Sequence, residues 1–350
     1  MGGWIPIAVV IACIWGCAVN SSTAPAKWAL AIHGGAGVIE RASMTAENEA
    51  AYRAALSSAL ETGAKVLRSG GSALDAVEST IRLMEDDPLF NAGRGAVFTS
   101  AGRNELDASI MEGATLRAGA IAGSTRARHP ISVARTVMEK SPHVMLAGEG
   151  ADTFAQEQGL ELVDPSFFFT ERRWQELEKT LKERGEPIPQ RPAGTPKPQS
   201  AISTGLLDQF EYGTVGVVAL DSSGNLAAGT STGGTTGKRW GRVGDSPIIG
   251  AGTYASNRSC AVSGTGTGEF FIRLTIAREI CALVEYKNYD VQQAADELIQ
   301  NRLMTLKGTG GVIVVSAKGK LAWSFNTPGM YRARVSADSA PKISIFKDES

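Results

Sequence analysis

A polar, proline-rich segment interrupts this chain, and a buried strand is predicted to begin directly after it. Residues 182–212 contain five prolines among polar residues, a composition that buries too little apolar surface to order itself and predicts a mobile linker. Gly213 and Thr214 follow, and then the apolar run Val215–Leu220, which is typical of a buried strand. Thr214 is therefore predicted to open a core strand behind a segment that can be cut.

Thr214 has the chemistry of a nucleophile only if the chain is cut before it. A threonine hydroxyl needs a nearby base, and a free α-amine on the same residue, with a reference pKa of about 7.7–8.0, can act as that base. In an uncut chain this nitrogen is an amide and cannot accept the proton. The alternative is an ordinary threonine that opens a strand, and the residue by itself does not decide between the two.

Composition excludes several classes of function. The chain has 350 residues, 35 basic and 36 acidic, and a formal net charge of −1, so nucleic acid is not a predicted partner. The length is enough for a sizeable core. The four cysteines and three histidines do not follow a zinc-ligand spacing. Gly264–Gly268 has the wrong spacing for a dinucleotide loop, so a nucleotide cofactor is not predicted either.

Residues 1–26 are predicted to form a leader. Trp4–Val19 is an apolar run, too short for a comfortable membrane span, that polar residues follow; this pattern is typical of an export signal. No Lys or Arg precedes the run, which argues against that interpretation, so an uncleaved anchor and a misassigned start stay open. We expect an exported protein, periplasmic or secreted, with lipid attachment at Cys17 as one alternative.

The spacing of apolar residues predicts an α+β fold. Helices are predicted at Thr45–Leu67, Ala73–Met84, Ser132–Lys140, Glu149–Gln158, Glu269–Tyr286 and Val291–Leu306. Strands are predicted at Trp28–Ile32, Ala96–Thr99, Leu106–Met111, Ala118–Gly123, Val215–Leu220, Leu226–Thr230, Gly311–Val315, Leu321–Phe325 and Met330–Val335. Elements in this order, joined by tight turns, predict a sandwich of sheet on sheet between helices.

Seven motifs, in order along the chain, resemble the plant-type L-asparaginase and isoaspartyl peptidase family of N-terminal-nucleophile hydrolases. They are His33–Gly37, Pro88–Gly93, Glu105–Met111, Gly213–Gly216, Thr230–Gly234, Gly241–Pro247 and Thr265–Glu269. The resemblance implies a four-layer αββα sandwich, made from a precursor that cuts itself between Gly213 and Thr214. It also implies an α subunit of residues 27–213 and a β subunit of residues 214–350, which together form one domain and assemble as a dimer of αβ heterodimers.

The resemblance assigns catalytic roles to particular residues. It makes Thr214 the nucleophile, with Thr232 bonded to its hydroxyl and assisting self-cleavage. The Thr265 hydroxyl and the Gly266 N–H would face the charge that develops on the scissile carbonyl, and Asn91 would support the nucleophile. Plainer interpretations exist, because Thr232 also suits a turn and Asn91 also suits the end of a helix before glycine.

Two charged residues between glycines, Arg242 and Asp245, suit a zwitterionic amino acid. A guanidinium can bind an α-carboxylate bidentately, and a carboxylate can bind an α-ammonium. The substrate-binding set that the resemblance implies is completed by Thr265, Gly266 and Gly268. The plainer alternative is an exposed ion pair between Arg242 and Asp245, which would contribute little to stability.

The loop after the second predicted helix resembles one that wraps a structural sodium ion. The carbonyl oxygens that the resemblance implies as ligands belong to Met84, Glu85, Asp87, Phe90, Ala92 and Arg94. Carbonyl oxygens suit a hard cation. A plain helix C-terminus with an acidic turn is the alternative, and no cofactor is implied for catalysis.

The implied activity is hydrolysis of β-aspartyl amide bonds, in isoaspartyl dipeptides and in L-asparagine. Glycosylasparaginase is a related alternative, but its glycine loop usually carries Asp where Thr267 and Glu269 stand in this sequence. A second alternative is an unprocessed, inactive homologue that only binds solutes. The motifs do not rank asparagine against isoaspartyl peptides.

Overall fold

Two β-sheets pack face to face in the computed structural model, which describes residues 1–3, 27–196 and 213–349. The strands of the larger sheet are β1 (Ala29–Gly37), β2 (Leu106–Glu112), β3 (Ala118–Ser124), β4 (Met145–Ala147), β5 (Val215–Leu220), β6 (Leu226–Thr232), β11 (Gly329–Ser336) and β12 (Ser339–Phe346). The strands of the smaller sheet are β7 (Thr253–Ala255), β8 (Cys260–Gly266), β9 (Gly310–Ser316) and β10 (Leu321–Phe325). Within the described residues, their orders are β12-β11-β1-β5-β6-β2-β3-β4 and β10-β9-β8-β7.

Helices cover the outer face of each sheet. Those before the linker are α1 (Ala46–Arg68), α2 (Ala73–Asp86), α3 (Pro130–Lys140), α4 (Gly148–Glu157) and α5 (Glu171–Glu183), and those after it are α6 (Gly268–Leu274), α7 (Ile276–Lys287) and α8 (Val291–Asp296). The first four pack on the larger sheet, and α7 and α8 pack on the smaller one. The predicted α+β, four-layer αββα architecture is confirmed.

Alternation along the strands separates the layers. In β1, Leu30 and Ile32 join the core beneath the helices, whereas Ala29 and Ala31 join the core between the sheets. Successive side chains of a strand point to opposite faces, so each strand of the larger sheet contributes to both cores. By the same alternation His33 faces the space between the two sheets.

Side-chain caps set where the first two helices begin. The Thr45 hydroxyl accepts a hydrogen bond from the Asn48 N–H at the start of α1, and the Ser72 hydroxyl accepts one from the Asp75 N–H at the start of α2. Such caps satisfy backbone donors that a helix leaves open at its first turn. Both helices therefore begin within a residue of the predicted positions.

Some predicted elements are wrong in detail. Ala96–Thr99 is buried but irregular, because the Asn104 amide takes the carbonyls of Ala96 and Val97 that a neighbouring strand would need. The predicted helix Glu269–Tyr286 is two helices that meet at Thr275, which has φ 47°. The first N–H groups of α7 donate instead to the carbonyls of Gly250 and Ala251.

Other differences concern the ends of elements. Thr232 is the last residue of β6 and does not lie in a turn. The final helix continues from α8 through a π-helical stretch, Glu297–Arg302, to Thr305. Strands β4, β7, β8 and β12 were not predicted, since they are short or rich in small and polar residues.

The predicted linker begins inside a helix. Residues 182 and 183 form the last turn of α5, and Arg191 pairs with Glu171 at the start of that helix. Residues 197–212 and the predicted leader run lie outside the described residues. A disulfide joins Cys260 of β8 to Cys281 of α7. In the part of the chain that the structure describes, no helix is long and apolar enough to cross a membrane.

Candidate active site

Thr214 lies at the start of β5, the strand between β1 and β6. Its side chain is buried, and its hydroxyl lies 3.1 Å from the hydroxyl of Thr232 and 2.8 Å from the carbonyl oxygen of Gly213. Thr232 reaches this point because β6 pairs antiparallel with β5. The two threonines that the sequence analysis singled out are therefore in direct contact.

The carbonyl oxygen of Gly213 is the focus of this contact. It accepts hydrogen bonds from the Thr214 hydroxyl, from the Thr232 hydroxyl at 3.0 Å and from the Asn91 amide at 2.8 Å. Donors on a carbonyl oxygen draw electron density from its carbon and stabilise the oxyanion that forms when a nucleophile adds. Thr214 directly follows Gly213 in the chain, so its hydroxyl is the candidate nucleophile for that carbon.

Asn91 does not end a helix, because α2 already ends at Asp86. Its amide nitrogen also donates to the Gly234 carbonyl, and its amide oxygen accepts from the Val97 N–H. These bonds use both hydrogens of the amide nitrogen and engage the amide oxygen, so they fix the direction of the side chain. Asn91 thus holds the loop before β2 against the turn after β6 and directs one N–H at Gly213.

Gly35 lies on the opposite side of the same peptide bond. Its φ is +111°, and an added Cβ would lie 3.0 Å from the Gly213 Cα and 3.3 Å from the Thr214 nitrogen. Only glycine adopts this conformation without strain. A side chain at this position would press on the Gly213–Thr214 bond.

A pocket opens beside Thr214. Its wall includes Thr232, Arg242, Asp245 and Gly266. The plainer alternative, an ion pair between Arg242 and Asp245, is not seen among the described residues: the guanidinium of Arg242 binds Glu269 bidentately, with Nε–Oε1 at 2.9 Å and Nη2–Oε2 at 3.0 Å.

Asp245 is buried beside this pair. One of its carboxylate oxygens has no hydrogen-bond partner among the described residues. Burial raises the pKa of its carboxyl to about 7, although the charge of Arg242 acts in the opposite direction. A buried carboxylate that lacks donors favours a ligand that supplies them.

Thr265 and Gly266 end strand β8, and Gly266 lines the pocket. The hydroxyl of Thr265 is buried and has no hydrogen-bond partner among the described residues. A Cβ on Gly268 would lie 3.0 Å from Nη2 of Arg242 and from Oδ1 of Asp245, so this position has to be glycine for the two charged groups to approach each other. Around Thr214 the structure brings together Thr232, Asn91, Arg242, Asp245 and Gly266, with Gly268 against the two charged side chains and Thr265 next to Gly266 in β8.

The comparisons with known proteins agree with this geometry. A family profile described as Asparaginase matches residues 26–345. The chain belongs to the asparaginase family. It is 48% identical over 323 residues to the isoaspartyl peptidase of Escherichia coli (strain K12), which covers 92% of this chain and 97% of the relative.

Similar members of the asparaginase family occur in an animal and in Pyrococcus. The isoaspartyl peptidase/L-asparaginase of Xenopus laevis is 40% identical over 324 residues, 93% of this chain and 97% of the relative. The plant-type L-asparaginase of Pyrococcus abyssi is 41% identical over 311 residues, 86% of this chain and 94% of the relative. The resemblance stated from the motifs is therefore confirmed.

Sequence reasoning missed three residues that contact this asparaginase site. Glu269 holds Arg242, His33 contacts the Thr214 carbonyl, and Lys238 lies buried with its ammonium 3.0 Å from the Glu105 carbonyl oxygen. His33 was noted only as part of a glycine motif. The alternation in β1 would have placed it on the same face as Ala29 and Ala31, towards the second sheet.

The loop from Met84 to Arg94 curls tightly at Gly93 and Gly95. A Cβ on either glycine would overlap a carbonyl oxygen, that of Glu85 at Gly93 and that of Phe90 at Gly95. Two of the six oxygens expected to hold sodium, those of Glu85 and Phe90, thus lie against Gly93 and Gly95. This arrangement fits a hard cation bound by carbonyl groups.

Proposed function

We propose that this chain is a self-processing threonine amidohydrolase that cleaves β-aspartyl amide bonds. It would convert isoaspartyl dipeptides to L-aspartate and an amino acid, and L-asparagine to L-aspartate and ammonia. The observation that carries the proposal is the Gly213 carbonyl, whose oxygen takes hydrogen bonds from Asn91, from Thr232 and from Thr214, the hydroxyl that can attack its carbon. Membership of the asparaginase family and the names of its relatives support the same activity.

Processing creates the catalytic group. The Thr214 oxygen adds to the Gly213 carbonyl carbon, the C–N bond breaks, and the nitrogen takes up the proton and becomes a free amine. Water then hydrolyses the ester and releases Gly213 as a carboxylate. Thr214 is left with a hydroxyl and an α-amine whose reference pKa, about 7.7–8.0, leaves part of it neutral at physiological pH.

The same two groups then act on the substrate. The Thr214 oxygen attacks the β-carbonyl carbon, the amine takes the hydroxyl proton, and the leaving nitrogen receives it as ammonia or as the amine of an amino acid. Water hydrolyses the aspartyl ester with the amine as base. In this proposal the Thr265 hydroxyl and the Gly266 N–H stabilise the oxyanion, and Arg242 and Asp245 bind the α-carboxylate and the α-ammonium.

A gel and two substrates test the proposal. The 36.7 kDa chain should give two smaller bands, and sequencing of one should begin at Thr214. Asparagine and a β-aspartyl dipeptide should be assayed in parallel, since the site geometry recognises only the aspartyl part. Full activity from an uninterrupted chain would refute the mechanism. The glycosylasparaginase and binding-protein alternatives are not favoured by the relatives.

We further propose that the protein is exported and that its αβ units pair as dimers. The fully buried Cys260–Cys281 disulfide supports export, because disulfides persist in oxidising compartments. Trp240, 95% exposed and two residues before Arg242, supports an interface near the site mouth. Cell fractionation and light scattering test the two statements; a cytosolic, monomeric enzyme would contradict both.

A structural sodium ion is proposed for the loop between Met84 and Arg94. The close approach of the Glu85 and Phe90 carbonyls to Gly93 and Gly95, in the loop that the resemblance assigns to the ion, supports it. The ion would fix the loop that carries Asn91 and would take no part in the reaction. Replacing sodium by lithium or choline in the buffer should lower the melting temperature, and an unchanged melting temperature would count against the site.

A further inference from the structure

His33 contacts the nucleophile from inside the protein. Its Nδ1 lies 3.0 Å from the carbonyl oxygen of Thr214, and its Nε2 lies 3.0 Å from the hydroxyl of Ser263. All of these side chains except that of Thr214 are fully buried. A carbonyl oxygen can only accept, so Nδ1 must carry the hydrogen.

The imidazole is neutral at physiological pH. Burial lowers the pKa of His33 to about 3, because the ring lies away from solvent. A neutral ring with its hydrogen on Nδ1 has a bare Nε2, which must accept. Ser263 therefore donates its hydroxyl hydrogen to Nε2, and its oxygen is left to accept from another group.

A row of buried hydroxyls supplies that group and continues away from the site. Ser263 lies 2.7 Å from Thr230, Thr230 lies 2.5 Å from Thr253, and Thr253 lies 2.8 Å from Ser109. With Ser263 donating to His33, Thr230 donates to Ser263 and Thr253 donates to Thr230. The tautomer of His33 thus fixes the direction of the row as far as Thr253, whereas the single Ser109 hydroxyl hydrogen is shared between Thr253 and the Ser246 carbonyl oxygen at 2.6 Å.

Strand alternation explains why these hydroxyls meet. Their strands come from both sheets, with β2 and β6 in the larger and β7 and β8 in the smaller. Each hydroxyl shares a strand face with a residue of the core between the sheets, namely Met111, Ala228, Ala255 and Ala261. The core between the sheets is therefore polar at the end nearest Thr214 and apolar beyond it.

After cleavage, Thr214 needs contacts that hold it in place. In the precursor, Thr214 is held by peptide bonds on both sides, but afterwards it is a chain terminus, and termini fray unless they are tied down. Its hydroxyl and amine must keep their positions for the reaction to proceed. The hydrogen bond from His33 to the Thr214 carbonyl is a buried side-chain contact between this residue and β1, a strand of the other product chain, and it extends beyond the backbone pairing of β1 with β5, which starts at Gly216.

We propose that His33 is a positioning residue, held in one tautomer by the hydroxyls of Ser263, Thr230 and Thr253. Its hydrogen bond to the Thr214 carbonyl would replace the constraint that cleavage removes from Thr214. The inference rests on the proposed self-processing. It predicts that loss of a hydroxyl from the row lowers kcat more than the rate of self-cleavage, because only the processed Thr214 depends on the His33 hydrogen bond to stay in position.

Graded substitutions test the row. Ser263→Ala should lower kcat about tenfold, the usual consequence of one lost buried hydrogen bond, with KM and the processing rate changed less than twofold. Thr230→Val, one step further away, should have a smaller effect on kcat. Ser259→Ala is the matched control, because Ser259 is a buried serine whose hydroxyl has no partner among the described residues; it should match the unmodified protein.

The histidine itself gives two further readouts. His33→Ala should lower kcat more than Ser263→Ala, and His33→Asn, which keeps a donor near the position of Nδ1, should recover part of the loss. With three histidines in the chain, ¹⁵N spectra should resolve a neutral ring protonated on Nδ1, and Ser263→Ala should shift that signal towards a mixture of tautomers.

Two results would overturn the inference: an Nε2-protonated or charged His33, or a Ser263→Ala enzyme with unchanged kcat. A Ser263→Ala loss that appears equally in processing would assign the row to folding of the precursor, and would also count against it. If the unmodified protein is neither cut nor active, the proposed function fails, while the tautomer of His33 can still be read from the spectrum.

Discussion

Thr214 lies between two sets of polar groups that differ in how fully they are hydrogen-bonded. On the Gly213 side, the carbonyl oxygen takes three donors, and the Asn91 amide uses both its nitrogen and its oxygen. On the pocket side, the Thr265 hydroxyl and one oxygen of Asp245 have no partner among the described residues. The first set is complete within the chain, and the second lacks donors and acceptors.

The difference shows which reaction each side is prepared for. Donors around a carbonyl are preorganised for attack on that carbonyl, which supports the proposed self-cleavage of the uncut chain. Buried polar groups without partners cost free energy in the folded protein. They are retained where a ligand supplies what is missing, and an α-ammonium and a carbonyl oxygen would do so here.

The hydroxyl of Thr214 serves both sides, so its removal should have the largest effect. We expect Thr214→Ala to abolish both chain cleavage and turnover, because no other described hydroxyl lies on the Gly213 carbonyl except that of Thr232, which would remain. Thr214→Ser keeps the hydroxyl and should still cleave itself. Mass spectrometry of the purified proteins distinguishes cut from uncut chain. Cleavage of the alanine variant at the same bond would show that another group attacks.

A variant of Asn91 tests the Gly213 side alone, because this side chain contacts the Gly213 carbonyl oxygen. We expect Asn91→Ala to slow self-cleavage about 10²–10³-fold, the usual loss for one oxyanion donor, because it removes the 2.8 Å bond to the Gly213 oxygen. The measurement is a time course of cleavage after synthesis in a cell-free system.

Asn104 offers the matched control. It is buried and bonds the carbonyls of Ala96 and Val97 in the same loop, but it does not contact Gly213. Asn104→Ala should cleave at nearly the normal rate. Equal slowing in both variants would mean that loop order, and not the donor to Gly213, limits the reaction.

Much of the larger sheet could be predicted from sequence because its elements are long and periodic. The helix from Ala46 and the strands from Val215 and Leu226 were placed to within a few residues. The smaller sheet was harder, since β7 has three residues and β8 mixes Ser, Thr and Gly with apolar residues, which resembles a loop. Its strands exist because they pair with neighbours and cover a core, which local patterns do not encode.

The candidate site likewise contains residues that could be predicted from sequence and contacts that could not. The motifs identified the residues around Thr214, because the asparaginase family keeps them in a recognisable order. The partner of Arg242 was missed because Glu269 is 27 residues away in sequence and reaches the guanidinium from the start of α6. His33 and Ser263 are 230 positions apart in sequence, and their contact follows only from how the sheets stack.

Asp245 should make binding depend on pH. Burial raises the pKa of its carboxyl to about 7, so the ligand-free site loses its negative charge as the pH falls through that value, and an α-ammonium then lacks its partner. The Thr214 amine, with a reference pKa of about 7.7–8.0, adds a second group that must be deprotonated. We expect log(kcat/KM) to fall below pH 6 with a slope near two.

Asp245→Asn should reduce that slope towards one and raise KM about tenfold to a hundredfold, the cost of a charged hydrogen bond.

The carboxyl of Asp245 should also make the stability of the fold depend on pH. Since its pKa in the folded state lies above the ordinary value of 3.8, its ionisation weakens the fold as the pH rises from about 4 to about 7. Asp245→Asn should therefore raise the melting temperature at pH 8 more than at pH 5. An identical shift at both values would contradict the raised pKa.

Glu269 should give the smallest effect, because the group that it holds is itself retained. Its carboxylate takes the edge of the Arg242 guanidinium formed by Nε and Nη2, so a substrate carboxylate has the Nη1–Nη2 edge. Exposed and half-exposed pairs contribute modestly, and loss of this one through Glu269→Gln should raise KM about two- to fivefold with kcat unchanged.

The comparison that sharpens this prediction uses the substrate. A β-aspartyl amide whose α-carboxylate is replaced by a carboxamide does not need the orientation of Arg242, so Glu269→Gln should leave its KM unchanged. An equal rise for both substrates would mean that Glu269 supports the pocket wall near Gly268 and not the guanidinium. A fall in the rate of self-cleavage would tie Glu269 to the Gly213 side, and the two sides of Thr214 would then not be separable.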